Sequence, residues 1–177
     1  MNKTIEMLFD EHSVIISAVS ITDSLNNLRQ QNPSAYKAMV RKVIAFLKGY
    51  ADEYHHYKEE VILFPEMIKK NELFGDGIIK EMMDNHKEFR QMIRLIETRL
   101  NEGEYELAQK QLETYVKMLL DHIAVENEEI FQAAESLFTD AELENIGFRF
   151  QDIDRELGDE KKQSFVEIMN QIRAEIE

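Results

Sequence analysis

Five histidines occur in this chain, and four of them, His12, His55, His86 and His122, fall one to each of four long segments in which apolar residues recur at steps of three or four. Each takes a place in its apolar stripe, so a packed bundle would turn all four imidazoles toward its interior. Glu59 and Glu126 lie four residues after His55 and His122, one helical turn on along the same face. Flanking Leu47, Ala51 and Ile62, and Leu119 and Ile130, place those pairs inside. A buried carboxylate without a partner gives up its charge rather than bear the loss of water, and a bound cation answers for both carboxylate and imidazole. With no cysteine in the chain, any metal must be held by nitrogen and oxygen.

Four histidines and two glutamates exceed the four places of a structural zinc site and suit two six-coordinate ions such as iron. If both glutamates bridge, and an oxygen bridges as well, they fill roughly ten of twelve octahedral positions, and His56 would bring the count to about eleven. One or two positions then remain for a small ligand. His56 is placed about 100° round a helix from His55, and its counterpart in the second half is the apolar Ile123, so its flank is also expected to face protein. Glu60 is expected to be a solvated partner of a lysine. Glu11 and Asp121, each just before a histidine, are candidate acceptors for a ring N–H. Met82, Met83, Met118, Phe89 and Phe131 read as core, and Tyr54 and Tyr57 as possible donors to a bound ligand.

The elements that must position these groups are all helices. Six glycines and two prolines in 177 residues are too few for a many-stranded protein. The first stripe carries Ile5, Leu8, His12, Ile15 and Val19. The second follows Asn32-Pro33, a cap with proline at the first helical position, and carries Val40, Ile44, Leu47, Ala51, His55, Glu59 and Ile62, with Pro65 predicting a kink or an end near Phe64. The third, after Gly75-Asp76-Gly77, carries Ile79, Met82, His86, Phe89, Ile93, Ile96 and Leu100. The fourth, after Asn101-Glu102-Gly103, carries Leu112, Tyr115, Leu119, His122, Glu126, Ile130 and Ala133. Short connections favour antiparallel neighbours, hence an all-α, up-down-up-down four-helix bundle over residues 1–136. Residues 137–177 read as short accessory helices on the same domain, opened by the capping box Thr139-Asp140-Ala141-Glu142 and by Asp159.

An internal repeat ties site to scaffold. Asp10-Glu11-His12 recurs as Asp84-Asn85-His86, and His55-x-x-x-Glu59-x4-Phe64 recurs as His122-x-x-x-Glu126-x4-Phe131. This pattern, with the phrase His55-His56-x-x-Glu59-Glu60-x-x-Leu63-Phe64-Pro65, resembles the hemerythrin-like, or HHE cation-binding, family over roughly residues 3 to 135. The resemblance implies a non-haem di-iron centre with an oxo or hydroxo bridge, His12, His55, His86 and His122 as terminal ligands and Glu59 and Glu126 as bridges. Another divalent metal such as zinc is compatible with the same donors. Some relatives carry a coordinating Glu after the first ligand histidine of the second helix, a place His56 takes here. Oxygen-carrying hemerythrins have His-x-x-x-His on the third helix, whereas the places four before and four after His86 are Met82 and Arg90.

Function follows as binding of, or reaction with, dioxygen, nitric oxide or peroxide, in sensing, detoxification or iron handling; the spacing is neutral between binding and turnover. A ferritin-like oxidase wants two Glu-x-x-His motifs, and only Glu53-x-x-His56 fits. A metal-free interaction module would leave six polar groups buried without cause. The net charge of −14 opposes phosphate backbones and anionic lipid, so no nucleic acid or membrane partner is expected, and a second copy of the chain is compatible. Absence of cysteine and of an apolar leader fits the cytoplasm.

Overall fold

The computed structural model describes residues 1–176. Thirteen helical segments follow one another: α1 (Lys3–Val19), α2 (Thr22–Gln31), α3 (Pro33–Phe46), the π-helical π1 (Leu47–His56) and π2 (Glu59–Leu63), α4 (Phe64–Lys70), α5 (Leu73–Asp76), α6 (Ile78–Glu102), α7 (Tyr105–Val125), π3 (Glu126–Ile130), α8 (Phe131–Leu137), α9 (Asp140–Leu157) and α10 (Asp159–Ile176). Four rods make the bundle: α1 with α2; α3 running on through π1 and π2 into α4; α6; and α7 through π3 into α8. There is no strand among the described residues.

Side chains set the ends of these rods. Asn2 accepts from Thr4 N–H, and Asn32 accepts from Ala35 N–H with Pro33 behind it. Gly103, at φ 79°, closes α6 in the left-handed conformation that glycine adopts without strain. The capping box of Thr139 and Glu142 starts α9. The stretch after Val19, to which the apolar repeat assigned no element, forms α2 and buries Leu25. Of the kink or end expected near Phe64, the end does not occur. The rod continues as α4 to Lys70, with Pro65 in its first turn and the wide π2 turn just before it. The same wide turn, with Phe131 N–H bonded to Glu126 C=O, recurs in π3 where no proline follows, so it does not depend on Pro65.

These wide turns have a structural consequence. Leu47, Ala51, His55, Glu59, Leu63 and Met67 are all buried, yet steps of four overshoot an α-helix by about 40° each, enough to carry the stripe off its face within a few turns. Turns closed from residue i to i+5 absorb the excess. In the fourth rod His122, Glu126, Ile130 and Ala134 stay inside in the same way, so Ala134 rather than the expected Ala133 takes the core position.

The core is split by the chemistry it encloses. One apolar cluster contains Ile15, Ala51, Tyr54, Phe89, Leu119 and Ile123, and the other contains Ile5, Leu8, Ile62, Met82, Ile130 and Phe131. On every rod the histidines and glutamates lie between the two, so they form one polar layer across the bundle. Met83 and Met118 pack at the edges of these clusters.

The two tail helices run 18 residues each, longer than the short helices expected from their capping signals. α9 packs on α1, π1 and π2, and α10 on α2, α3 and π1. They supply Phe150 to one apolar cluster and Phe165, Met169 and Ile172 to the other. The approach is close: a Cβ on Gly49 would lie 2.3 Å from the Phe165 ring, and one on Gly147 2.5 Å from Thr4 Oγ1.

Candidate metal centre

The structure brings all seven sequence-predicted residues into the polar layer, each no more than 2% exposed. They form two groups, His12, His55, Glu59 and Glu126 in one and His56, His86 and His122 in the other, and within each group the candidate ligand atoms lie within 4.8 Å of one another.

Both carboxylates face both groups. Glu59 turns Oε1 to His55 Nε2 at 3.4 Å and Oε2 to His86 Nε2 at 3.7 Å. Glu126 turns Oε2 to His12 Nε2 at 3.2 Å and Oε1 to His122 and His86 Nε2 at 3.1 and 3.8 Å. None of these four oxygens, nor the Nε2 atoms of His12 and His55, makes a hydrogen bond, although all are buried. Across the second group, His86 Nε2 and His122 Nε2 approach to 3.1 Å. Orphaned acceptors of this kind cost several kcal/mol unless a cation sits among them. The nitrogen and oxygen donor set is the one that suits iron and zinc, so the residues fit a metal pair.

The opposite nitrogen of each ring is tied down from outside. His12 Nδ1 lies 2.8 Å from Asn127 Oδ1, His55 Nδ1 2.8 Å from Glu11 Oε2, His86 Nδ1 2.8 Å from Glu60 Oε1, and His56 Nδ1 3.4 Å from Asp52 Oδ1. His122 Nδ1 lies 3.4 Å from the Asn85 amide, which can present either end. A carboxylate or amide oxygen at Nδ1 keeps the proton there and leaves the Nε2 lone pair aimed at the centre.

These partners obey the internal repeat. The residue before each first-helix histidine, Glu11 or Asn85, serves the histidine of the following rod. The residue after each buried glutamate, Glu60 or Asn127, serves the first-helix histidine of the other half. The expectation for Glu11 holds. Asp121 is exposed and serves no histidine; its place is taken by Asn85. Glu60 pairs with His86 and Arg90 instead of a lysine. Glu60 and Asn127 could have been found from their matched positions after Glu59 and Glu126.

His56 reaches the layer because it ends π1. Its ring stacks on that of His86 with centroids 3.8 Å apart and planes 13° apart. Tyr54 and Tyr57 do not reach the candidate ligand atoms: Tyr57 is exposed, and the Tyr54 hydroxyl donates to Asp154 at 2.6 Å.

Cations hold the outer carboxylates. Lys58, fully buried, donates to Glu11 at 2.5 Å, to Asp154 at 2.6 Å and to the Tyr54 hydroxyl at 2.9 Å. Lys162 of α10 donates to the same hydroxyl at 2.8 Å. Arg90, at the rim, binds Asp52 at 2.7 Å and Glu60 at 2.6 Å. Beside it a cavity of about 240 Å³ is lined by Leu47, Asp52, His56, Phe89, Ile93 and Tyr115.

The electrostatics follow from this arrangement. Burial pushes the Glu11 carboxyl up, but His55 and Lys58 overcome it and hold it at about 2. Burial pushes His55 down, and Glu59 and Glu11 raise it to about 10. His86 is raised to about 9 against burial by Glu126, Glu60 and Glu59. His56 is driven well below its ordinary value by burial and by the charge of His86. The inner and outer carboxylates thus favour the protonated form of His55 and His86, and burial disfavours it at His56.

A model of the hemerythrin HHE cation binding domain matches residues 3–134. No curated protein and no solved structure matches the chain. With most of its length covered by that model, and a His/Glu cluster at its centre, the chain belongs to the hemerythrin HHE cation binding domain family.

Proposed function

We propose that this chain is a cytoplasmic non-haem di-iron protein that binds or reacts with a small molecule, dioxygen, nitric oxide or peroxide, in sensing, detoxification or iron handling. In this reading His12 and His55 would hold one metal, His56, His86 and His122 would hold the other, and Glu59 and Glu126 would serve both. The observation that carries it is the orientation of those two carboxylates, each with one buried, donor-free oxygen toward each histidine group. Bound iron would supply reversible one-electron chemistry and Lewis acidity toward the small ligand.

The protein's own part is to prepare the donors. Glu11, Glu60, Asn127 and Asp52 keep protons at Nδ1 of His55, His86, His12 and His56, so their Nε2 atoms can face inward. Phe131 stacks on His12 and Phe64 on His86, with centroids 5.2 and 6.1 Å apart, and these rings keep water from the imidazole faces. The ferritin-like oxidase alternative loses support because Glu53, its motif's carboxylate, is exposed. The metal-free module would leave four buried carboxylate oxygens unpaired.

Iron quantitation on protein produced with ample iron tests this reading. Close to two irons per chain, with near-ultraviolet charge-transfer bands after oxidation, is the expected result. One tightly held zinc and no iron under those conditions would overturn it.

A further inference from the structure

Among the described residues Lys58 is the one lysine that is fully buried, and its three N–H donors are matched to three acceptors from three parts of the chain: Glu11 of α1, Tyr54 of π1 and Asp154 of α9. Glu11 in turn accepts from His55. An unbroken chain of contacts of 2.8, 2.5 and 2.6 Å thus runs from His55 through Glu11 and Lys58 to Asp154, in the segment beyond the family match. α9 and α10 also have apolar anchors of their own. Phe150, Phe165, Met169 and Ile172 already bury an apolar face, and a buried ion pair is often no more stable than a hydrophobic substitute of the same volume. A fully buried ammonium ion is costly, and that cost is explained by the histidine at the far end of the chain.

We propose that the two tail helices are a working part of the metal centre: Asp154 is a positioning residue that acts through Lys58 and Glu11 on His55, and so sets the metal affinity of the His12/His55 half. The sign follows from charge sharing. While Asp154 takes part of the Lys58 charge, Glu11 keeps its own for His55 and strengthens the imidazole as a donor. Neutralising Asp154 turns Lys58 wholly onto Glu11, which weakens Glu11 as an acceptor and His55 as a ligand. Linkage makes the effect mutual, so metal in that half favours a docked tail. This inference rests on the reading of His55 as a metal ligand.

The test is a zinc titration of the metal-free, full-length protein against a chromophoric chelator, resolving two binding steps. In Asp154→Asn one step should weaken about tenfold, the scale seen when a ligand's outer partner is lost, while the other stays within about twofold. Asp154→Glu should restore it. Asp152→Asn, on the same helix but exposed and paired with Arg155, should leave both steps unchanged. In a redox titration of iron-loaded Asp154→Asn, one of the two iron steps should move to higher potential. A lower melting temperature with both zinc steps unchanged, or equal weakening of both, would reduce Asp154 to a structural contact and overturn the proposal. A wild-type protein that binds no zinc and no iron would instead overturn the metal-centre reading, and this proposal with it.

Discussion

The two halves of the polar layer are built from one repeated plan and finished in opposite ways. Each has a first-helix histidine, a second-helix histidine, a carboxylate on one ring and an amide on another. In the His12/His55 half the cation behind the carboxylate is Lys58, with no exposed surface, roofed by α9. In the other half it is Arg90, a third exposed, beside a cavity of about 240 Å³ that reaches His56. The added histidine, His56, is on the open side, where the repeat has only Ile123. A closed half and a half beside a cavity thus face each other across the same two carboxylates.

Removing metal tests what the halves share, and it should have the largest effect. Ligand present at about a thousand times its dissociation constant adds about 4 kcal/mol to stability, which for a chain of this size is roughly 10 °C or more in melting temperature. Calorimetry of metal-free and metal-loaded protein at neutral pH should show that gap. Equal melting would mean that Glu59 and Glu126 are satisfied without metal.

Arg90→Ala then separates the halves. Unlike buried Glu11, Asp52 and Glu60 lie at a partly exposed rim, and without Arg90 they turn to water and leave His56 and His86 unsupported despite the charge they regain, so the open half should lose about tenfold in metal affinity. The closed half should hold its metal. Two-step zinc binding compared between this variant and wild type measures the difference, and equal weakening of both steps would show that the halves act as one unit.

His56→Ala makes a finer cut. Both metals should stay bound, because His86, His122 and the two carboxylates still face the open half, but one coordination position is freed. The oxidised optical spectrum should change and azide affinity should rise. An unchanged spectrum together with unchanged azide binding would place His56 outside the ligand set.

The stripe histidines and both glutamates were legible in the sequence because steps of three and four report a buried helical face whatever residue occupies it. The rods and the capping box at Thr139 were legible for similarly local reasons. The wide turns were not: no residue type encodes them, and they show only as buried positions spaced by four, Leu47 to Met67, that an α-helix could not keep on one side. His56, about 100° off the stripe, was legible only through the apolar Ile123 at its matched position in the repeat, and the structure places it inside the layer. Lys58 was illegible for a different reason. A lysine beside a stripe reads as solvated, and only Asp154, 96 residues away, reveals that a tail helix covers it. Asp121 misled because adjacency to a histidine along the chain says nothing about which ring nitrogen points where.

The smallest effect is expected where the tail is anchored far from the centre. Glu142, in the first turn of α9, bonds Lys70 at 2.5 Å and caps Thr139, and both partners are in contact with water. Lys70, and then the Thr139 N–H, hold its carboxyl at about 2, against 4.5 without these partners. Because the folded-state value is depressed, its stabilisation is complete above about pH 4.5 and fades as pH falls toward 2. Solvent and salt screen such an exposed pair, so Glu142→Gln should lower the melting temperature at pH 7 by no more than about 2 °C. That difference should shrink steadily in scans below pH 4.5, and both zinc steps should match wild type. A selective change in one zinc step in Glu142→Gln would mean that any loosening of α9 reaches the closed half, and the specific route through Asp154 and Lys58 would lose its distinction.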